Sequence, residues 1–275
     1  MKDENYLTEQ NRRRFLKTTG AAAAGLSLMS GTTSAKKGKN KKKQSMQEAD
    51  VVEEYNTLLN EYKFDEARQL LTENSVQFTS HEYLHESDGV STEDFYGKSA
   101  SSATFDANYF GVIDGEETWA LVLTWDLKDM QQDVDAPAPK DKAALAFDSD
   151  VWGYSDDSLK HSGRITYNNG ADVINNVTSV ESEPVSDLPN AGVVTFDDRF
   201  TYPDVHGEGF MQMEIRRTDE NSQGIVAGSY AHTWAIAGAT ELSLNVSLGG
   251  LISWDDPIGT DRWVLPNNDD RDIEL

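Results

Sequence analysis

From residue 109 to residue 265, short runs rich in β-branched and aromatic residues are punctuated by turns bearing Gly, Asn and Asp, with no helical period between them. That pattern restricts the fold more than any other feature of the chain. Strand-like runs at 109–113 and 118–127 flank Asp114-Gly115, a dipeptide that accepts the positive φ of a tight hairpin. Further runs follow at 143–147, 164–167, 172–180, 192–196, 209–217, 225–235, 241–247, 251–254 and 262–265. Turns fall at 168–170, 219–224 and 249–250. Strands joined by hairpins rather than helices predict a mainly β fold, an antiparallel β-sandwich or barrel-like sheet over 109–265. Alternation supports one buried face, with Met211, Met213 and Ile215 on one side of a strand and Gln212 and Glu214 on the other. All six tryptophans lie in this half, and Trp119 and Trp125 share a face. They read either as a sugar-binding aromatic surface or as core; the bulk of sandwich interiors favours core.

Upstream, 46–75 reads as a helical hairpin packing on the β domain. Val51, Val52, Tyr55, Leu58, Leu59 and Tyr62 recur at three- and four-residue spacing, and Asp65 is the expected N-cap of a second helix carrying Ala67, Leu70 and Leu71. A helix, a short turn and a helix before strands resemble the opening of NTF2-like domains, which implies a ligand-binding or isomerase alternative. Residues 76–108 are polar and read as a connection with one short strand at 76–79. Residues 131–142 form a Pro-rich loop, and the acidic tail 266–275 is expected to fray.

The N-terminus supplies an address. Arg12-Arg13-Arg14-Phe15-Leu16-Lys17 resembles the twin-arginine export motif, with Arg12, Arg13, Phe15 and Leu16 as its defining residues. A weakly apolar run at 18–29 follows, too short for a bilayer core of roughly 30 Å. It ends at small residues, so cleavage is expected after Ala35. The chain then reads as secreted or surface-associated, with no transmembrane segment in the mature part. With no cysteine, neither a disulfide framework nor thiolate zinc is available.

Residues 36–45, beginning KKGKNKKK, form a polybasic leader expected to be disordered; it reads as a solvated spacer, with tethering to an acidic envelope as the alternative. From Gln44 onward, 13 basic residues face 45 acidic ones, a net charge of -32, and only six of the 13 are lysine. Such self-repulsion strains a compact state at low ionic strength and is screened when the Debye length falls to about 3 Å at 1 M salt. The excess runs along the whole chain, which points to a salty solvent rather than one basic partner. Nucleic acid is disfavoured as a partner, since phosphate binding needs clustered Lys and Arg.

One motif has catalytic overtones. His81-Glu82-Tyr83-Leu84-His85 matches H-E-x-x-H and resembles the zincin pattern, in which His81 and His85 would hold zinc and Glu82 would activate its water. That chemistry requires a helix. The preceding Gln77-Phe78-Thr79-Ser80 is strand-like, Ser87-Asp88-Gly89 follows at once, and no third ligand stands at the expected spacing, so the flanks argue against it. No G-x-S-x-G turn occurs, His206 and His232 stand without motifs, and carboxylate pairs such as Glu116-Glu117 follow from composition. Sequons at Asn176 and Asn245 are candidate glycosylation sites.

Four blocks, at 118–126 (TWALVLTWD), 136–141 (APAPKD), 143–154 (AALAFDSDVWGY) and 230–234 (YAHTW), resemble exported haloarchaeal proteins of unknown function. The resemblance implies a salt-adapted secreted protein and brings no catalytic residues. The sequence therefore predicts a non-enzymatic structural, surface or binding domain without a cofactor, engaging an extracellular ligand or envelope component. A secreted zinc hydrolase and an NTF2-like domain are the alternatives.

Overall fold

The computed structural model describes residues 43–84, 101–130, 141–154, 158–167, 180–182, 190–196, 205–235, 244–246, 252–254, 260–266 and 272–275. Residues 1–42, which include the expected export segment and most of the expected lysine leader, lie outside them, as do His85 and Asn176. No described helix is long and apolar enough to cross a membrane.

Two helices form where the apolar spacing predicts them, α1 (Val52–Asn60) and α2 (Phe64–Glu73). Tyr55 and Leu59 of α1, and Ala67 and Leu71 of α2, are buried. The expected cap is corrected. The N-cap of α2 is Lys63, without a side-chain cap bond, and Asp65 lies inside the first turn with Glu66. There both carboxylates face the positive end of the helix dipole, which favours them without capping. Each helix ends in a left-handed residue that is not glycine. After α1, Tyr62 (φ 59°) allows Lys63 N–H to donate to the Leu58 carbonyl and Tyr62 N–H to that of Leu59. After α2, Ser75 (φ 57°) allows the same pair of bonds, from Val76 to Leu71 and from Ser75 to Thr72. Both are Schellman closures. The strain at Tyr62 is offset by its hydroxyl bond to Ser162 (2.7 Å) and by Arg164 lying 4.2 Å from its ring centroid.

The first sheet contains β1 (Phe78–Leu84), β2 (Ser102–Ile113), β3 (Glu116–Met130), β5 (Trp152–Tyr154), β6 (Lys160–Tyr167) and β9 (Val205–Arg217). Its order is β1-β2-β3-β9, and β5 and β6 share the outer edge of β9. The second contains β4 (Asp141–Phe147), β7 (Val180–Ser182), β8 (Ala191–Phe196), β10 (Ile225–Ala235), β13 (Thr260–Leu265) and β14 (Asp272–Glu274). Its order is β7-β8-β4-β10, with β13 and β14 sharing the outer edge of β10. A two-stranded ribbon, β11 (Leu244–Val246) and β12 (Ile252–Trp254), stands apart. All these pairings are antiparallel.

Packing makes this a sandwich. Phe105, Leu121, Trp125 and Met211 from the first sheet meet Leu145, Phe196 and Tyr230 from the second in one buried cluster. The outer face of the first sheet is covered by the helices, which pack Tyr55, Leu59 and Leu71 onto Phe110, Ala120, Val122 and Phe210. The outer face of the second is covered by Ile252 and Trp254, over Ala144, Ala146, Ala227 and Ala231. Trp119 and Trp125 are core residues, the alternative that sandwich interiors favoured. A second sheet stacked on the first replaces the open conical half-barrel that the NTF2-like alternative needs.

Three boundaries are corrected. The polar connection expected at 76–108 contains all of β1 and the first half of β2. Its polar character has a physical cause: Thr104, Asp106 and Asn108 alternate with Ala103, Phe105 and Ala107, and are buried under the helices rather than exposed. The leader ends before Gln44, which bridges to Val76, and Ser45 is buried. Ser45 and Glu48 form a reciprocal capping box, with Ser45 N–H to Glu48 Oε2 at 2.9 Å and Glu48 N–H to Ser45 Oγ at 3.1 Å. The tail expected to fray instead ends in β14, where Ile273 is buried and pairs with Val226.

Candidate functional site

Among the described residues, a concave site lies where the short turns gather. β2 and β3 meet at Asp114 (φ 54°) and Gly115 (φ 92°), two successive positive φ values that give the tight hairpin the dipeptide predicts. Beside it, the chain leaves β9 through 218–224 and enters β10 in the other sheet. There Gly224 and Leu275 exchange backbone bonds of 3.2 and 3.0 Å. Between these turns lies a groove of about 780 Å³, lined among others by Tyr109, Val112, Glu117, Arg217, Glu220 and Asn221. Its volume falls within the range of small-ligand sites, about 300–1,000 Å³.

The floor is a fixed network. Glu117 accepts from Trp119 Nε1 at 2.7 Å and from Arg217 Nε at 2.8 Å. Arg217 also donates Nη1 to the Ser222 carbonyl (2.6 Å), and its guanidinium carbon lies 4.3 Å from the Trp152 ring centroid. A carboxylate held by two donors and a guanidinium stacked on an aromatic ring lose little freedom when a ligand arrives. Tyr109 packs its ring against Trp119 at 5.4 Å between centroids. Burial, then the Glu117 and Glu48 carboxylates, raise its phenol above the usual range.

The rim turn organises itself. Asp219 accepts from the Asn221 backbone N–H (2.9 Å) and the Ser222 hydroxyl (2.6 Å). The Ser222 bond, then the Asn221 backbone bond, hold the Asp219 carboxyl below its ordinary value of 3.8. The turn's support from this group is therefore complete above 3.8 and lost as pH falls through the depressed value. In a pH titration the Asn221 amide resonance should move with a midpoint below 3.8. A midpoint at or above 3.8 would contradict this role.

Other polar clusters serve packing. Under the helices, Arg68 donates to Asp106 (3.1 Å), Thr124 (2.9 Å) and Asp65 (3.0 Å), while Asn108 donates to the Tyr55 hydroxyl (2.9 Å). Between the sheets, Asp141 accepts from the Tyr230 hydroxyl (2.5 Å) and lies 2.8 Å from His232 Nδ1, tying β4 to β10. Asp126 and His206 meet at 2.6 Å, and Glu208 and Arg164 at 2.6 Å. Sequence reasoning left both histidines without partners because those partners are distant in the chain and meet only across strands.

The zinc candidates fare differently. His81 and Glu82 lie on β1, opposite Phe105 and Thr104. Neighbouring strand residues point to opposite faces, and positions four apart are separated by about 13 Å at roughly 3.3 Å per residue. The helical geometry in which H-E-x-x-H holds a metal is therefore not formed at His81 and Glu82. Among the described residues, no three His, Asp or Glu side chains converge as a metal site. Asn245 is exposed on β11.

No family model and no curated protein matches the chain. Among solved structures, it is similar to a pore-forming protein at 10% identity and TM-score 0.30, over 68% of this chain and 89% of that one. It is similar to the C-terminal domain of the Streptococcus agalactiae AgI/II polypeptide BspA at 12% identity and TM-score 0.29, over 69% and 50%. Clostridium perfringens delta-toxin matches at 8% identity and TM-score 0.26, over 68% and 86%.

Proposed function

We propose that this chain is a salt-adapted, exported binding domain that presents its groove outside the cell. The observation that carries this reading is the groove itself: a concave, polar site of about 780 Å³ whose floor is pre-organised by Glu117, Arg217 and Trp119. Export rests on the segment around Arg12, Arg13, Phe15 and Leu16, with removal after Ala35. Salt adaptation rests on the 45 acidic residues set against 13 basic ones beyond the leader. Exposed Asn245 is available for glycosylation once outside, and Asn176 is the second candidate.

Recovery of the protein from culture medium tests the address. N-terminal sequencing should read from Lys36, and replacing Arg12 and Arg13 by lysine should confine the chain to the cell. A medium fraction that persists undiminished in that variant, or a secreted chain retaining Phe15, would sink the export reading.

A further inference from the structure

Resting on that binding reading, we infer that the groove takes a neutral, polyhydroxylated ligand: a saccharide chain rather than an ion, a nucleic acid or a charged peptide. Charge narrows the choice first. Glu116, Glu117 and Glu220 line the groove, and Arg217 is already engaged by Glu117, the Ser222 carbonyl and the Trp152 ring. An anionic ligand would sit in contact with these carboxylates, and the one lining guanidinium is already engaged.

Salt narrows it further. At molar ionic strength the Debye length is about 3 Å, so long-range attraction of a cation by these carboxylates, like long-range repulsion of an anion, is lost and only groups in contact decide. Short directional hydrogen bonds and ring contacts survive, because they act at contact. The lining is suited to both. Carboxylate oxygens accept from hydroxyl groups, the Asn221 and Gln223 side-chain amides donate and accept, and the Ser222 hydroxyl, whose proton goes to Asp219, can accept. Half-buried Tyr109 and Val112, 58% exposed, provide the apolar surface on which the C–H face of a sugar ring can lie.

Trp119 provides a local reporter, since its indole N–H donates to Glu117 in the groove floor. Mature protein at ~3 M salt would be titrated with neutral hexasaccharides of glucose, mannose and N-acetylglucosamine. Oligolysine and oligogalacturonate serve as charged probes, and Trp119→Phe assigns the indole resonance. One neutral series should shift the Trp119 resonance saturably, with an affinity that changes little between ~1 M and ~3 M salt, as contact interactions require. Tyr109→Ala should weaken it about tenfold, the scale of a lost aromatic contact. Tyr109 also packs on Trp119, so the exposed pair Glu220→Ala with Gln223→Ala provides a second variant that spares the core. It too should weaken binding. If only a charged probe shifts the resonance, the saccharide class is wrong and the groove remains a binding site. If no probe does, both readings fall.

Discussion

Transfer from ~0.1 M to ~3 M salt should raise the melting temperature of the mature protein steeply. Beyond the leader the chain carries -32, and the described basic side chains are mostly committed: Arg68 to Asp106, Arg164 to Glu208 and Arg217 to Glu117. The remaining carboxylates repel one another over the Debye length, about 10 Å at 0.1 M and about 3 Å at 1 M. Even a net gain of about 3 kcal/mol corresponds to a rise of roughly 6–12 °C for a domain of this size. Calorimetry across a salt series measures it, and a chloride salt keeps the comparison on screening rather than on the extra burial that sulfate promotes. A flat melting temperature would remove the basis of the salt-adaptation reading.

Asp106→Ala should be among the most destabilising single changes under the helical hairpin. Asp106 is 2% exposed and accepts from Arg68, whose side chain is 20% exposed. Removing one member of such a pair leaves the other charge without its counterion, a cost of about 3–5 kcal/mol when fully buried and towards the lower figure here. Asp106→Asn keeps an oxygen for Arg68 and should cost less. Burial, opposed by Arg68, holds the Asp106 carboxyl above its ordinary value of 3.8. The folded state therefore binds this proton more tightly than the unfolded one, and the group's contribution to stability falls as pH rises from 3.8 through the raised value. In Asp106→Asn that part of the pH dependence should vanish. Urea denaturation of both variants at pH 4 and pH 7 separates the two effects; equal stability of wild type and Asp106→Ala would show that the pair contributes nothing.

What could be read from the sequence follows from which interactions are local. Asp114-Gly115 specifies its hairpin in two residues, and the runs around 143–147, 192–196, 209–217 and 225–235 lie within a few residues of β4, β8, β9 and β10. The helices were legible from their apolar spacing, but their ends were not. Tyr62 and Ser75 take the left-handed closing position that usually advertises itself as glycine. The Ser45-x-x-Glu48 pair straddles the boundary drawn between the lysine leader and the helical hairpin, which splits the two residues that bond each other. The start of β2 was hidden because its polar residues Thr104, Asp106 and Asn108 are nevertheless buried, and β1 because it is a half-exposed edge strand rich in polar residues, so both resembled a linker.

The groove was not legible at all. Tyr109, Glu117, Arg217 and Leu275 are brought together only by the pairing of β2 with β3, β3 with β9, and β14 with β10. No short window of sequence contains that geometry.

The strand order also sets a timetable for synthesis. β3 lies between β2 and β9, so the first sheet stays incomplete until the ribosome has passed Arg217. β10 lies between β4 and the pair β13 and β14, so the second sheet waits for Asp272–Glu274. Pairings this distant in sequence form slowly, because a long loop must close before any contact rewards it. Arg12–Arg14 precede every described strand in the chain, and the outer partners of β10 are made after all the others.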